Sequence, residues 1–237
     1  MKGSTLLGLS FYVAFAAVPA ISQKIPAGSV HTHIEGIAIP PVAGAPFTAR
    51  EVVTWNKPLV AGGTSSMKYY TSVARDSQGR VRRETRDFVS ADSTAEPPLR
   101  TFTILDPVAG TRTTCTKATM SCATGAYNAS QALAENAAAR GNAGGENLGE
   151  QTIEGLPVNG TQVTGSNVSG PRGSSRLVIS QTEAWYSPDL QIDLSVTRTD
   201  PQSGVVTLNI TNLVPGEPDS TWLAIPSGYS VIRGKTQ

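Results

Sequence analysis

Residues 66–89 read SMKYYTSVARDSQGRVRRETRDFV, and this stretch decides what kind of fold the chain can have. Met67, Tyr69, Thr71 and Val73 recur at every second position. Successive side chains of a strand point to opposite sides, so this period means a strand with one buried face. Asp76-Ser77-Gln78-Gly79 then reads as a type I turn. The aspartate accepts from the backbone just ahead of it, and the glycine takes the left-handed conformation that closes the turn. Residues 80–89 return as a second strand. Strand, tight turn and strand make a hairpin of an antiparallel sheet.

The same hairpin carries a basic cluster. Arg75, Arg80, Arg82, Arg83 and Arg86 lie among Asp76, Glu84 and Asp87, leaving a local excess of two positive charges. Alternation puts Arg80, Arg82 and Glu84 on one face and Val81, Arg83 and Thr85 on the other. Arginines alternating with acids read first as a solvated face that discourages edge pairing. The second reading is a site for an anionic headgroup or a peptide carboxylate. Nucleic acid does not fit: 19 basic and 18 acidic residues leave no basic field to neutralise phosphates.

Outward from the hairpin the pattern repeats. SVHTHIEGIAI alternates from Val30 to Ile39 and stops at Pro40-Pro41. TAREVVTWNKPLV centres on Val53 and Trp55, and LRTFTIL runs into a turn at Asp106–Gly110. EQTIEG, VNGTQVTGS, SRLVISQTEAWYS, LQIDLSVTRT and VVTLNITNLV follow, the last two joined by a turn at Asp200–Gly204. Strands separated by turn signals at short spacing are the all-β signature. We expect a curled antiparallel sheet of about nine to eleven strands, with Trp55, Tyr69, Ile104, Val163, Trp185, Leu194, Leu208 and Trp222 inside. The break in pattern runs from Asn128 to about Gly149. Its first half is alanine-rich and suits a short helix; its second half is Gly/Asn-rich and reads as a flexible connector. PDSTWL at 218–223 offers one further helical turn.

The two cysteines stand in TRTTCTKATMSCATG. If Thr116 pairs with Ser121 across a short turn, Cys115 faces Cys122 at a distance a disulfide can span. The other reading, two thiols free or on a metal, lacks a nearby histidine. Export favours the bond, and the N-terminus points to export. Lys2 precedes an apolar run from Leu6 to Val18, with small residues at Ala20 and Ser22. This is the layout of a secretory signal peptide, residues 1–22, cleaved after Ala20 or Ser22. The run is too short to cross a bilayer, which needs about 20 residues, and no later segment is apolar enough. The expected layout is therefore leader, an N-terminal strand and linker over 23–46, and a β domain over 47–237 in a periplasmic or secreted protein.

Little in the chain looks catalytic. His31 and His33 share a strand face with Glu35, but spacing supplies no further metal ligand. No G-x-S-x-G elbow or phosphate-binding glycine loop occurs, and no cofactor is implied. Asp189 and Asp193 form an acid–base pair on paper only, because carboxylates at strand ends are usually solvated.

The final third carries a resemblance. Trp185, Ser187-Pro188-Asp189-Leu190, Pro218-Asp219, Trp222 and Pro226-Ser227-Gly228-Tyr229 resemble the C-terminal end of exported bacterial LolA/LolB-like proteins. RDSQGRVRRE and ILDPVAGTR look like elements of uncharacterised exported proteins of soil bacteria, Acidobacteria especially. The resemblance covers about 47–231 and implies an incomplete β-barrel around a helical or loop plug. It further implies a lipid, acyl chain or lipoprotein as partner, held on the concave face. Trp55, Tyr69 and Trp185 would then face the ligand, with Arg80, Arg82 and Arg83 near an anionic head. The competing expectation is a structural or interaction protein of the envelope with no small-molecule ligand.

Overall fold

A computed structural model describes residues 34–142, 144–169 and 176–233. His31, His33 and the expected leader lie outside them. The hairpin read from 66–89 is present: β1 (Phe47–Pro58), β2 (Thr64–Arg75) and β3 (Val81–Arg86) are consecutive antiparallel neighbours. Asp76 closes the turn as expected. Its Oδ1 accepts from the Gln78 and Arg80 amides, and Gly79 N–H donates to Asp76 O. Gly79 has φ +80, and a Cβ there would stand 2.7 Å from Pro41 O. Glycine is thus required both by backbone angle and by space.

Thereafter come β4 (Val89–Ser90), β5 (Leu99–Asp106), β6 (Thr111–Thr116), β7 (Ser121–Ala126), α1 (Ala129–Asn142), β8 (Glu146–Ile153), β9 (Leu156–Ser169), β10 (Arg176–Ser187), β11 (Ile192–Asp200), β12 (Gly204–Pro215), a 3-10 turn (Ser220–Leu223) and β13 (Ser230–Arg233). One sheet runs β13-β7-β6-β5-β3-β2-β1-β12-β11-β10-β9-β8, with β4 paired to β2 beside it. It is curled and open, since β8 and β13 end it unpaired with each other. Two meanders, β1–β7 and β8–β12, are stitched along the β1·β12 seam, where Val53 meets Leu208.

Alternation sorts the buried residues. Phe47, Val53, Val73, Leu194, Leu208 and Ile210 form the main core on the inner face. Full burial of each is worth about 1.5–3 kcal/mol. A second cluster occupies the outer face of β5–β7: Phe102, Ile104, Cys115 and Cys122, covered by Ile225 and Tyr229. Here Cys115 and Cys122 are register partners and disulfide-bonded. Phe102 and Tyr229 meet edge to face at 5.4 Å, and β13 is laid parallel against β7.

Four expectations change. The alternation of 30–39 is not a strand over its described part, 34–39; that piece has no regular secondary structure and pairs with no neighbouring strand. The connector expected to run to Gly149 ends sooner, because Glu146–Gly149 already pair with β9. Among the described residues the sheet has thirteen strands, and one pairing, β13 with β7, is parallel. Of the residues expected inside, Ile104 is buried but in the outer cluster, and Trp222 is only half-buried in the 3-10 turn, its carbonyl accepting from Arg82 on the outer face.

Candidate functional site

The topology sets the site. β7 lies next to one end of the sheet and β8 is the other end, so the chain between them must pass across the sheet, and Ala132 beside Tyr69 and Val81 places that passage over the inner face. α1 makes that crossing. Its 14 residues reach about 21 Å at 1.5 Å each. Asn128 caps it by accepting from the Gln131 amide. Its far end is latched by Arg140, whose guanidinium bonds both oxygens of Asp193 at 3.1 and 3.2 Å and stacks 3.8 Å over the Tyr186 ring. A helix this short is marginal alone, and the Arg140–Asp193 latch ties its far end to the sheet.

Under the helix runs the segment 35–41. Ile37, Ile39, Pro40 and Pro41 are buried, yet its main-chain groups are met by side chains. Ile37 N–H donates to Glu51 Oε1 at 2.7 Å, and Arg83 donates both to Ile37 O and to Glu51. Arg198 donates to Glu35 O at 3.0 Å. Arg75 has no exposed surface. It donates to Ala45 O, Pro40 O and Leu190 O and lies 5.0 Å over the Phe47 ring. Desolvation pulls its pKa down to about 10.

Helix and segment do not fill the trough. A cavity of about 400 Å³ opens between Ala132 of α1 and the strands β2–β6, lined by Ile39, Tyr69, Val81 and Leu105. Arg112 and Tyr127 also border it, and Arg112 is exposed. Burial raises the Tyr127 pKa, against the pull of Arg112. Desolvation and then the Glu51 carboxylate raise that of Tyr69. A second cavity, about 610 Å³, lies on the other side of α1 over β9–β11, lined by Ala139, Val163, Thr182, Ala184 and Tyr186. Both have the size of small-molecule sites, about 300–1,000 Å³, and both are walled largely by carbon.

Of the six residues expected to face a ligand, Tyr69 and Arg83 line the first cavity. Trp55 packs instead beside Phe88 at the end of β1, its indole N–H donating to Ser203 O. Trp185 lies over Gly160 and donates to Glu183, while its strand neighbours Ala184 and Tyr186 face the second cavity. Arg80 is bound to Asp76 at 2.6 Å. Arg82 is on the outer face, 4.6 Å over the Phe102 ring and donating to Trp222 O. The cluster is therefore no solvated face: Arg75 and Asp76 are fully buried, and Glu84 sits between Arg82 and Arg86. Asp193, expected to be solvated, is the partner of Arg140. Gly36, Arg112, Tyr127 and Arg140 were not singled out from sequence, since only the strand order brings them to one trough.

No family model and no curated protein matches the chain. Among solved structures, it is similar to LprF from Mycobacterium bovis, at 15% identity and TM-score 0.35 over 78% of this chain and 90% of that one. It is similar to MucB at 13% identity and TM-score 0.37, spanning 79% of this chain but only 60% of MucB. A third likeness is to an outer membrane lipoprotein-sorting protein domain from Vibrio parahaemolyticus, at 9% identity and TM-score 0.29, over 76% and 89%. These likenesses are of fold; the nearer resemblance to acidobacterial proteins finds no support among them.

Proposed function

We propose that this is an exported, non-catalytic envelope protein that holds an apolar, acyl-type ligand in the trough beneath α1. One observation carries the reading: the inner face is roofed by a latched helix yet leaves cavities of about 400 and 610 Å³ on either side of it. A sheet meant only to bury its face would be packed there, as it is over β1, β11 and β12. Residues 1–22 serve as the leader, and 47–237 form one domain whose roof is α1. The headgroup position belongs to Arg112 and Tyr127 rather than to the arginines of 75–86, which are already committed. The second reading, a structural envelope protein without a small ligand, is favoured by one feature: the chain's own segment 35–41 occupies the trough floor.

The test is direct. Lipid is extracted from the purified protein with organic solvent, and a fluorescent fatty acid is titrated into the delipidated protein. We expect saturable binding, weakened at least about tenfold when Ala132→Trp or Ala139→Trp fills either side of the trough, the loss expected for removing a well-packed apolar contact. A folded protein that releases no lipid and shows no saturation supports the structural reading instead.

A further inference from the structure

Segment 35–41 is held by its main chain. One ion pair, of buried Glu51 with half-buried Arg83, reads both polar groups of one residue: Glu51 accepts from Ile37 N–H, and Arg83 donates to Ile37 O while bonded to Glu51. A neighbouring strand would read that residue in the same way. Gly36 lies against the pair: a Cβ there would stand 1.5 Å from Arg83 Nη2 and 2.6 Å from Glu51 Oε1, so a larger residue displaces one or both side chains. Beyond it, Ile37 and Ile39 drop into the core while Ala38 points away. Main-chain bonds with pockets for alternate side chains are the way sheet-bearing proteins take up extended peptides. The groove is also wider than its occupant: Gly36 and Ile39 border one cavity and Ala38 the other.

We infer that the inner face is a peptide-binding site, centred on Glu51 and Arg83, whose resident is the chain's own segment 35–41. Its ligand class is an extended polypeptide segment with glycine followed by apolar residues at alternate positions. The resident and a segment supplied in trans exclude each other. This site does not depend on acyl binding, and its probe is a peptide alone.

The experiment uses the variant Gly36→Val, whose methyl groups collide with the ion pair and drive the resident out. A synthetic peptide spanning residues 34–42 is titrated into it without lipid. One-to-one saturable binding is expected, at least about tenfold weaker in the wild type, where the site is filled, and in Gly36→Val carrying Glu51→Leu and Arg83→Leu. Removing both charges together avoids stranding either one. A folded Gly36→Val that takes no peptide overturns the proposal. Should that variant not fold, hydrogen exchange compares the wild type with Glu51→Leu/Arg83→Leu. The Ile37 amide is expected to exchange at least about tenfold faster with Val53 unchanged, as a local opening would give; equal exchange at Ile37 overturns the proposal. Failure of fatty-acid binding leaves the peptide result standing, and the reverse also holds.

Discussion

At the scale of single residues, the arginines of 75–86 show how little charge count says about place. Arg75 is wholly buried on three carbonyls, Arg80 locks a turn, Arg82 covers a ring and Arg83 reads a peptide group. Their spacing was legible; their burial was not, because it depends on which segments later fold over the hairpin. Tyr69 offers a sharper test. Its folded pKa is raised above the ordinary value of 10.0, by burial first and Glu51 second. Below pH 10 its contribution to stability is fully present. Above it the unfolded chain loses a proton that the folded one keeps, so stability falls by about 1.4 kcal/mol per pH unit. Arg75, whose pKa burial lowers to about 10, acts in the opposite sense as pH rises above that value. The measurement is therefore a difference: urea midpoints of wild type and Tyr69→Phe should converge as pH rises past 10. Parallel curves would refute it.

At the scale of elements, strands that carry their own turn chemistry were readable. Asp76–Gly79 and Asp200–Gly204 announce their hairpins, and the Cys115–Cys122 register follows from a short turn between Thr116 and Ser121. Segment 34–39 misled for a physical reason: its alternation is real, but its partners are side chains from distant strands. β13 was unreadable because its four residues pair in parallel with a strand more than a hundred positions earlier. That pairing gives the disulfide a particular role. An eight-residue loop limits its stabilisation to about 2.5 kcal/mol by chain entropy, but the bond also steadies β7, on which β13 lies. Cys115→Ala/Cys122→Ala should lower stability by about that amount. In hydrogen exchange β13 should open before β10, whose exchange stays that of the wild type. Uniform loss of protection across both strands would show that the bond acts only on the unfolded chain.

At the scale of the whole molecule, β1 is the hinge of the order. It pairs with β2 next in sequence and with β12 some 150 residues on, so neither meander buries its inner face without the other. Leu208 and Val53 face each other there, both without exposed surface. Leu208→Ala should cost about 2–5 kcal/mol. The loss should appear equally in probes on either meander, such as fluorescence from Trp55 and from Trp185 in single-tryptophan variants. Separate midpoints for the two would mean that the meanders fold independently. Fold class was legible here because turn spacing is local. The trough was not, since a linear chain gives no sign that residues 127–145 join opposite ends of a sheet.

That connection makes α1 the string of a bow whose limbs are the two margins of the sheet. A string cannot lift without the limbs drawing together or its anchorage slipping. Arg140 and Asp193 form that anchorage on one limb; on the other, Tyr127 N–H donates to Gly110 O. For the proposed ligand, widening the space beneath the helix would work against the Arg140–Asp193 anchorage, and Arg140→Ala should loosen that end of α1 first.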